Sequence, residues 1–261
     1  MKKVTSTEGN NLVALDNRIV ENLCPLSLNE KRLVYLLLGR VKNKYKESLS
    51  IEEVLSKEVT PEEVKAGRWV VGETLSSEGW YSITVREFAE ATGVRLDNAR
   101  NELEEVAESL RTKAVYVNFG EDVGYVKVNW VSSIRFDVKG DCIGVRWNSD
   151  IIPLVCNLTE YFVKLRLKEV LLLRSTYSWK LHEVLVMLRG VQDYRKDVVV
   201  EVEELKKMLG VPKGLQEYKY FKGKILNMAV KELNDKGVRK GLGFKEVKEG
   251  RWVRRLVWRW D

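Results

Sequence analysis

The sequence predicts an α+β fold of two tandem winged-helix modules related by internal duplication, and three observations predict it. Three segments recur in the same order in the two halves of the 261-residue chain. Each half carries a short amphipathic helix, a Gly-Val turn and a longer amphipathic helix, which together make a helix-turn-helix. Each half then ends in alternating β-branched and aromatic sequence that reads as a hairpin, the wing.

The first segment, Ser27 to Leu38, opens on a helix start and is answered by Ser175 to Val186, with Leu33, Leu36 and Leu37 matched by Leu181, Val184 and Leu185. The stretch Asn43 to Gly79 has no counterpart and, from Lys44, carries eight Glu against five Lys and Arg. Thr60-Pro61-Glu62-Glu63 within it supplies an N-cap, a first-turn proline and acids at the positive end of a helix dipole. It reads as an acidic insertion with a short helix, facing away from any polyanion. The second segment is the clearest repeat: Ile83 to Val94 against Val200 to Val211, each closing on a glycine, Gly93 or Gly210, suited to a left-handed cap. In the third, Leu103, Val106, Ala107 and Leu110 are answered by Leu226, Ala229, Val230 and Leu233, the i, i+3, i+4, i+7 stripe of a buried helix face. Asp97 is the expected cap of the first of these helices.

The expected strands are Ala114 to Phe119 and Tyr125 to Phe136 in the first half, and Val238 to Val247 and Trp252 to Trp260 in the second. Lys248-Glu249-Gly250-Arg251 is the hairpin turn of the last pair. Asn148 and Pro153 mark a short helix or link between Arg146 and Leu158. The domains are therefore expected at 1–150 and 151–261, with the insertion at 43–79.

Composition excludes several classes. The longest apolar run, Leu33 to Leu38, is far below the ~20 residues of a membrane span, and polar sequence from Thr5 to Asn11 follows the basic start where a secretion signal needs an apolar region. We expect an intracellular, cytoplasmic protein with no membrane association. Cys24, Cys142 and Cys156 form no Cys-x-x-Cys pair, and one histidine, His182, sits in an apolar helical pattern, so no metal site is expected. There is no phosphate loop, dinucleotide fingerprint or nucleophile elbow. The Glu52/Glu53, Glu62/Glu63 and Glu203/Glu204 pairs read as solvated helix faces. Neither catalysis nor a cofactor is expected.

The charge is informative by its position. The chain carries +7 overall, but residues 211–261 hold 14 Lys and Arg against 6 Asp and Glu, leaving the rest near −1. Such asymmetry marks a polyanion-binding surface. On a helix from Tyr218 to Asn234, Tyr220, Lys224, Asn227 and Lys231 form the stripe opposite the core, with Gly223 beside it. Cations and an amide there suit base edges and phosphates in a major groove. Lys213, Lys219 and Lys222 surround the start of that helix, where free N–H groups also favour phosphate. In the wing, Trp252, Leu256, Trp258 and Trp260 are expected in the core and Arg251, Arg255 and Arg259 on the opposite face. Lys245, Lys248 and Arg251 are placed to reach phosphates or a minor groove. The first-half helix offers Arg95, Asn98, Arg100 and Asn101 at its start, then Glu102, Glu104, Glu105 and Glu108, which repel phosphate. Arg111 and Lys113 lie near its end. The first module is expected to bind DNA more lightly and to take protein contacts.

With these residues in hand, the chain resembles the iteron-binding plasmid replication initiators, the Rep family, over roughly Asn17 to Trp260. The resemblance rests on Leu26-Ser27-x-x-Glu30-Lys31-Arg32-Leu33, on Ser175-x-Tyr177-x-x-Lys180-Leu181-x-Glu183, and above all on Phe221-Lys-Gly-Lys-Ile-Leu-Asn-Met-Ala-Val-Lys-Glu-Leu-Asn234. It departs at Gly223, where the family has the middle of three basic residues. The resemblance implies binding of double-stranded origin iterons by monomers and autorepression at an operator by dimers formed through the N-terminal domain. It also implies recruitment of a host initiator ATPase and the replicative helicase. A transcriptional repressor without a replication role would need the same DNA surface.

Overall fold

The computed structural model describes residues 12–21, 26–40, 80–118, 125–137, 141–155, 158, 161–192 and 197–261. The insertion with its Thr60 helix start, and Cys24 and Cys156, lie outside them.

The chain starts with β1 (Leu12–Asp16), α1 (Asn17–Glu21) and α2 (Leu28–Leu38). Ser27 caps α2 through a reciprocal box: its hydroxyl accepts from the Glu30 N–H, and the Glu30 carboxylate accepts from the Ser27 N–H at 2.6 Å. A second box, Thr84 with Glu87, joins β2 (Tyr81–Thr84) to α3 (Val85–Thr92). Gly93 then ends α3 in the left-handed region, φ +77°, as the sequence predicted. The long helix α4 (Leu96–Thr112) follows, with Leu103, Ala107 and Leu110 buried on one stripe. Its cap is Arg95, not Asp97; Asp97 sits in the first turn and pairs with the Arg95 side chain at 2.8 Å.

Four strands close the first module. β3 (Ala114–Asn118) pairs with β4 (Tyr125–Asn129), and β5 (Val131–Phe136) pairs with β6 (Cys142–Trp147), which runs between β5 and β2. The sequence reading missed β6, the centre of that sheet, because Gly144 interrupts its pattern. A Cβ at Gly144 would lie 3.4 Å from the Trp80 ring, which crosses the strand there.

A 3₁₀ turn, Ser149–Ile151, and α5 (Ile152–Val155) form the short helical link expected near Asn148. The second module repeats the plan: β7 (Phe162–Arg166), α6 (Leu167–Val170), α7 (Thr176–Val191) capped by Ser175, β8 (Val198–Glu201) and α8 (Val202–Leu209), ended by Gly210 at φ +65°. Glu203 and Glu204 on α8 are exposed, as expected of a solvated face. The recognition helix comes next, then β9 (Gly243–Glu249) and β10 (Trp252–Arg259), which lies between β9 and β8. β9 starts five residues later than predicted. Residues 238–242 serve the end of the recognition helix: Leu233 O accepts from the Arg239 N–H, and the Asn234 amide braces the Leu242 backbone from both sides.

The duplication is expressed as an internal two-fold. β1 pairs antiparallel with β7, with Ala14 opposite Lys164, Leu12 opposite Arg166 and Asp16 opposite Phe162. A shift of 150 residues interchanges the outer two pairs, as in an interface between identical copies, and a shift of 148 relates the helices that follow. The same holds for α2 against α7, where Lys31 corresponds to Trp179 and Tyr35 to Glu183. Lys31 Nζ bonds both Glu183 oxygens at 2.8 Å, and the Tyr35 and Trp179 rings meet edge-on at 4.9 Å. Tyr35 also donates its hydroxyl to Glu183. Arg32 reaches the Leu173 carbonyl and Lys180 the Val20 carbonyl, each crossing to the other half. The burial pushes the Glu183 carboxyl up, but Lys31 and Lys180 together with these hydrogen bonds outweigh it and hold the group below its usual range. His182, one residue before Glu183, is fully buried in the core and serves packing.

Candidate nucleic-acid interface

The recognition helix is not a regular α-helix. It runs as α9 (Tyr218–Phe221), a π turn over Lys222–Leu226, and α10 (Asn227–Asp235). The Asn227 N–H bonds the Lys222 carbonyl five residues back. A π turn widens the helix and is frequent at functional sites. Its inner side is anchored by Phe221, Ile225, Leu226, Ala229 and Leu233, all buried. Lys206 of α8 lies under Phe221, at 5.9 Å from the ring, and pairs with Glu203 at 2.6 Å, tying the two helices of the motif together.

Gly223 lies inside the π turn. Nothing approaches within 4 Å of the position a Cβ would take, so no protein contact requires glycine there. Gly223→Ala should therefore raise the unfolding free energy by up to ~1 kcal/mol through helix propensity, and the thermal midpoint with it. A fall in the midpoint would show that the π turn itself demands glycine.

The outward face carries Lys219, Tyr220, Gly223, Lys224, Asn227 and Lys231, all exposed. Lys224 lies over the Tyr220 ring at 5.6 Å. Lys213, exposed in the 3₁₀ turn Lys213–Leu215, precedes the helix. Lys222 is different from the rest. Its Nζ pairs with Glu246 of β9 at 2.6 Å, and the Tyr218 hydroxyl donates to the same carboxylate oxygen at 2.8 Å. The bond from Lys222 holds the Glu246 carboxyl below its usual range, while burial and Glu246 push the Tyr218 hydroxyl up. Lys222 thus fixes the wing to the helix and offers less charge to phosphate than its free neighbours.

In the wing, Lys245, Lys248 and Arg251 are exposed. Gly250, at φ +61°, is the first of the two turn residues between Glu249 and Trp252, where a tight hairpin reserves the place for glycine. Arg255 and Arg259 do not point to a ligand: Arg255 lies near Glu201 and Glu249, and Arg259 pairs with Asp197. The expected burial of Trp252 is also wrong. A bulge between Val253 and Arg255 reverses the alternation, so Leu256, Trp258 and Trp260 are buried while Trp252 is 59% exposed.

The first module presents Arg95, Asn98, Arg100 and Asn101 as a second exposed group at the start of α4. Arg95 pairs with Asp97 and Arg100 with Glu104 at 3.0 Å, so its cations are partly neutralised. Glu102 turns inward to Asn29 of α2, whereas Glu105 and Glu108 stay on the outer face. Arg111 is held by Glu108 and Lys113 lies 3.9 Å from Glu30. Two exposed residues escaped the sequence reading: Met228, 66% exposed between Lys224 and Lys231, and Arg254, the extra residue of the bulge. Among the described residues no cluster of His, Cys, Asp and Glu could hold a metal, and no helix is long and apolar enough to cross a membrane.

Two helix-turn-helix units, each with a strand leading in and a hairpin following, define a tandem winged-helix protein whose second unit carries a cationic recognition face. The chain belongs to the family of initiator replication proteins: the model of the first winged helix, "Initiator Replication protein, WH1", matches residues 12–186, and that of the second, "Initiator Rep protein, WH2", matches 201–260. Among solved structures, the chain is similar to the Pi initiator protein in complex with iteron DNA, at 20% identity and a TM-score of 0.72, covering 96% of this chain and 97% of that one. Domains 2 and 3 of RctB match at 11% identity over 70% of this chain and 75% of that one, with a TM-score of 0.41.

Proposed function

We propose that this chain is a cytoplasmic plasmid replication initiator that binds repeated double-stranded sites, iterons, at an origin. It acts by binding and not by catalysis, and as a dimer in equilibrium with the monomer it represses its own gene. The observation that carries the reading is the exposed Lys219–Lys231 face of the recognition helix, flanked by a cationic wing, in a chain of the initiator replication protein family. Residues 1–150 and 151–261 are the two functional domains in this reading, the second gripping DNA and the first supplying lighter contacts and the dimer surface. Their recognition helices enter successive major grooves ~34–36 Å apart on one face of the duplex. In this reading local opening of the duplex draws on binding energy and on a recruited host initiator ATPase and helicase.

Footprinting on the direct repeats beside the gene should show about two helical turns protected, and the protein supplied in trans should maintain a plasmid carrying those repeats. Absence of any preference over random DNA would sink the reading. Lys224→Ala should weaken site binding about 10-fold or more, the scale of a lost base or charged contact. Arg100→Ala should cost less than about 3-fold, because Glu104 already neutralises Arg100. Equal losses in the two variants would remove the division of labour between the modules.

A further inference from the structure

Trp252 is a large aromatic side chain held in solvent by a specific backbone device. β10 packs its inner face through Leu256, Trp258 and Trp260, and a regular strand would bring residues 254 and 252 to that same face. The extra residue between Val253 and Arg255 prevents this. Val253 packs against the core in place of Trp252, which points away at the end of the hairpin. The adjoining turn is tight, and Arg251 lays its guanidinium over the Trp252 ring at 4.9 Å. Lys248 and Arg254 are exposed on either side. Leaving an indole in water forfeits the gain of burying it, and the strand spends a bulge to do so. Bulges that re-aim a side chain occur at sites of function.

We propose that Trp252 is a base-stacking site: the wing tip enters the minor groove at the edge of the bound DNA site, and the indole takes up the face of a nucleobase there, partly unstacking one base step. This deepens, and rests on, the reading of the chain as a site-specific DNA-binding initiator. Lys248, Arg251 and Arg254 carry the charge that brings the tip onto the phosphates, and Arg251 prepares the indole by fixing one of its faces. Apolar wedges inserted between base steps in a minor groove unstack and bend the duplex. The wedge therefore supplies a local distortion that requires no nucleotide hydrolysis.

The test uses the full-length chain and a duplex selected by the wild-type protein from random DNA. The readouts are affinity and the permanganate reactivity of thymines, which reports unstacking. Wild type should make one or two thymines at the site edge reactive. Trp252→Ala should abolish that reactivity and weaken binding about 10-fold, with guanine N7 protection in the major groove unchanged. Trp252→Phe should restore both in part. Since Trp252 is outside the core, the thermal midpoint of Trp252→Ala should match wild type. Retained reactivity in Trp252→Ala, or an affinity change below 2-fold, overturns the proposal. So does a variant that loses only oligothymidylate binding while the duplex readouts stay intact, which would assign the indole to a single strand. If the wild type selects no site at all, it is the initiator reading that fails, a result distinct from either.

Discussion

Replacing Lys31 by Ala should cost about 3–5 kcal/mol of stability and loosen the two winged helices from each other. Lys31 and Glu183 are both buried, and the ammonium bonds both carboxylate oxygens across the α2–α7 contact. Removing one partner of such a pair strands the other charge in the interior, and the penalty is of that size. Tyr35 and Lys180 remain near Glu183 and place the loss toward the low end. The paired variant Lys31→Met with Glu183→Leu removes both charges and should recover most of the stability, because buried ion pairs seldom surpass apolar residues of similar volume. Urea unfolding of the wild type and the two variants measures the energies, and small-angle scattering measures the separation of the modules. A loss below 1 kcal/mol in Lys31→Ala would mean that the pair is incidental to the interface.

The residues that made the architecture legible are those whose role is local. Gly93 and Gly210 end equivalent helices in the left-handed region, and the repeated apolar positions of the two long helices form the buried stripes, as periodicity predicts. The strand pair β1–β7 was not legible as a pair, since its partners stand about 150 residues apart; β7 alternates, with Val163 and Leu165 buried and Lys164 and Arg166 exposed, but β1 is apolar from Leu12 to Leu15. Within the interface, the cationic stripe Lys224, Asn227 and Lys231 was readable because it lies opposite the core. Three features were not. The π turn at Lys222–Leu226 leaves no mark in composition, and Met228, four residues after Lys224 on the same stripe, is apolar and does not register among cations and amides. The bulge at Arg254 inverts strand parity, and so Trp252 reads as core. The pairing of Lys222 with Glu246 joins helix to wing through the tertiary fold, so that counting cations overstates the charge available there. A one-residue irregularity moves a side chain from one face to the other, and sequence period cannot register it.

The second large effect expected is a steep loss of stability in mild acid, traceable to His182. The imidazole is buried on α7, neither ring nitrogen has a hydrogen-bond partner among the described residues, and burial followed by the Arg239 guanidinium pushes its pKa down to about 3. Above pH 6.5 the ring is neutral in both folded and unfolded chains and contributes no slope. Below pH 6.5 the unfolded chain binds a proton that the folded chain refuses, so stability falls as the pH falls, by ~1.4 kcal/mol per unit. The fall ends near the folded value, after a total on the order of 5 kcal/mol. Glu183 acts in the same direction but later: its folded carboxyl is held below the usual range, so the stability it contributes is intact above about pH 4.5 and is lost as the pH drops through its folded value. Between pH 6.5 and 4.5 Glu21, whose carboxyl is pushed up by burial and then by Asp16, gains its proton first in the folded chain and opposes the fall, so the comparison with a histidine-free variant isolates the imidazole. His182→Leu should flatten the urea-unfolding free energy across that interval while leaving the steeper fall below it. A variant with the wild-type slope would show that other groups carry the acid sensitivity, and that the imidazole is protonated in the folded chain after all.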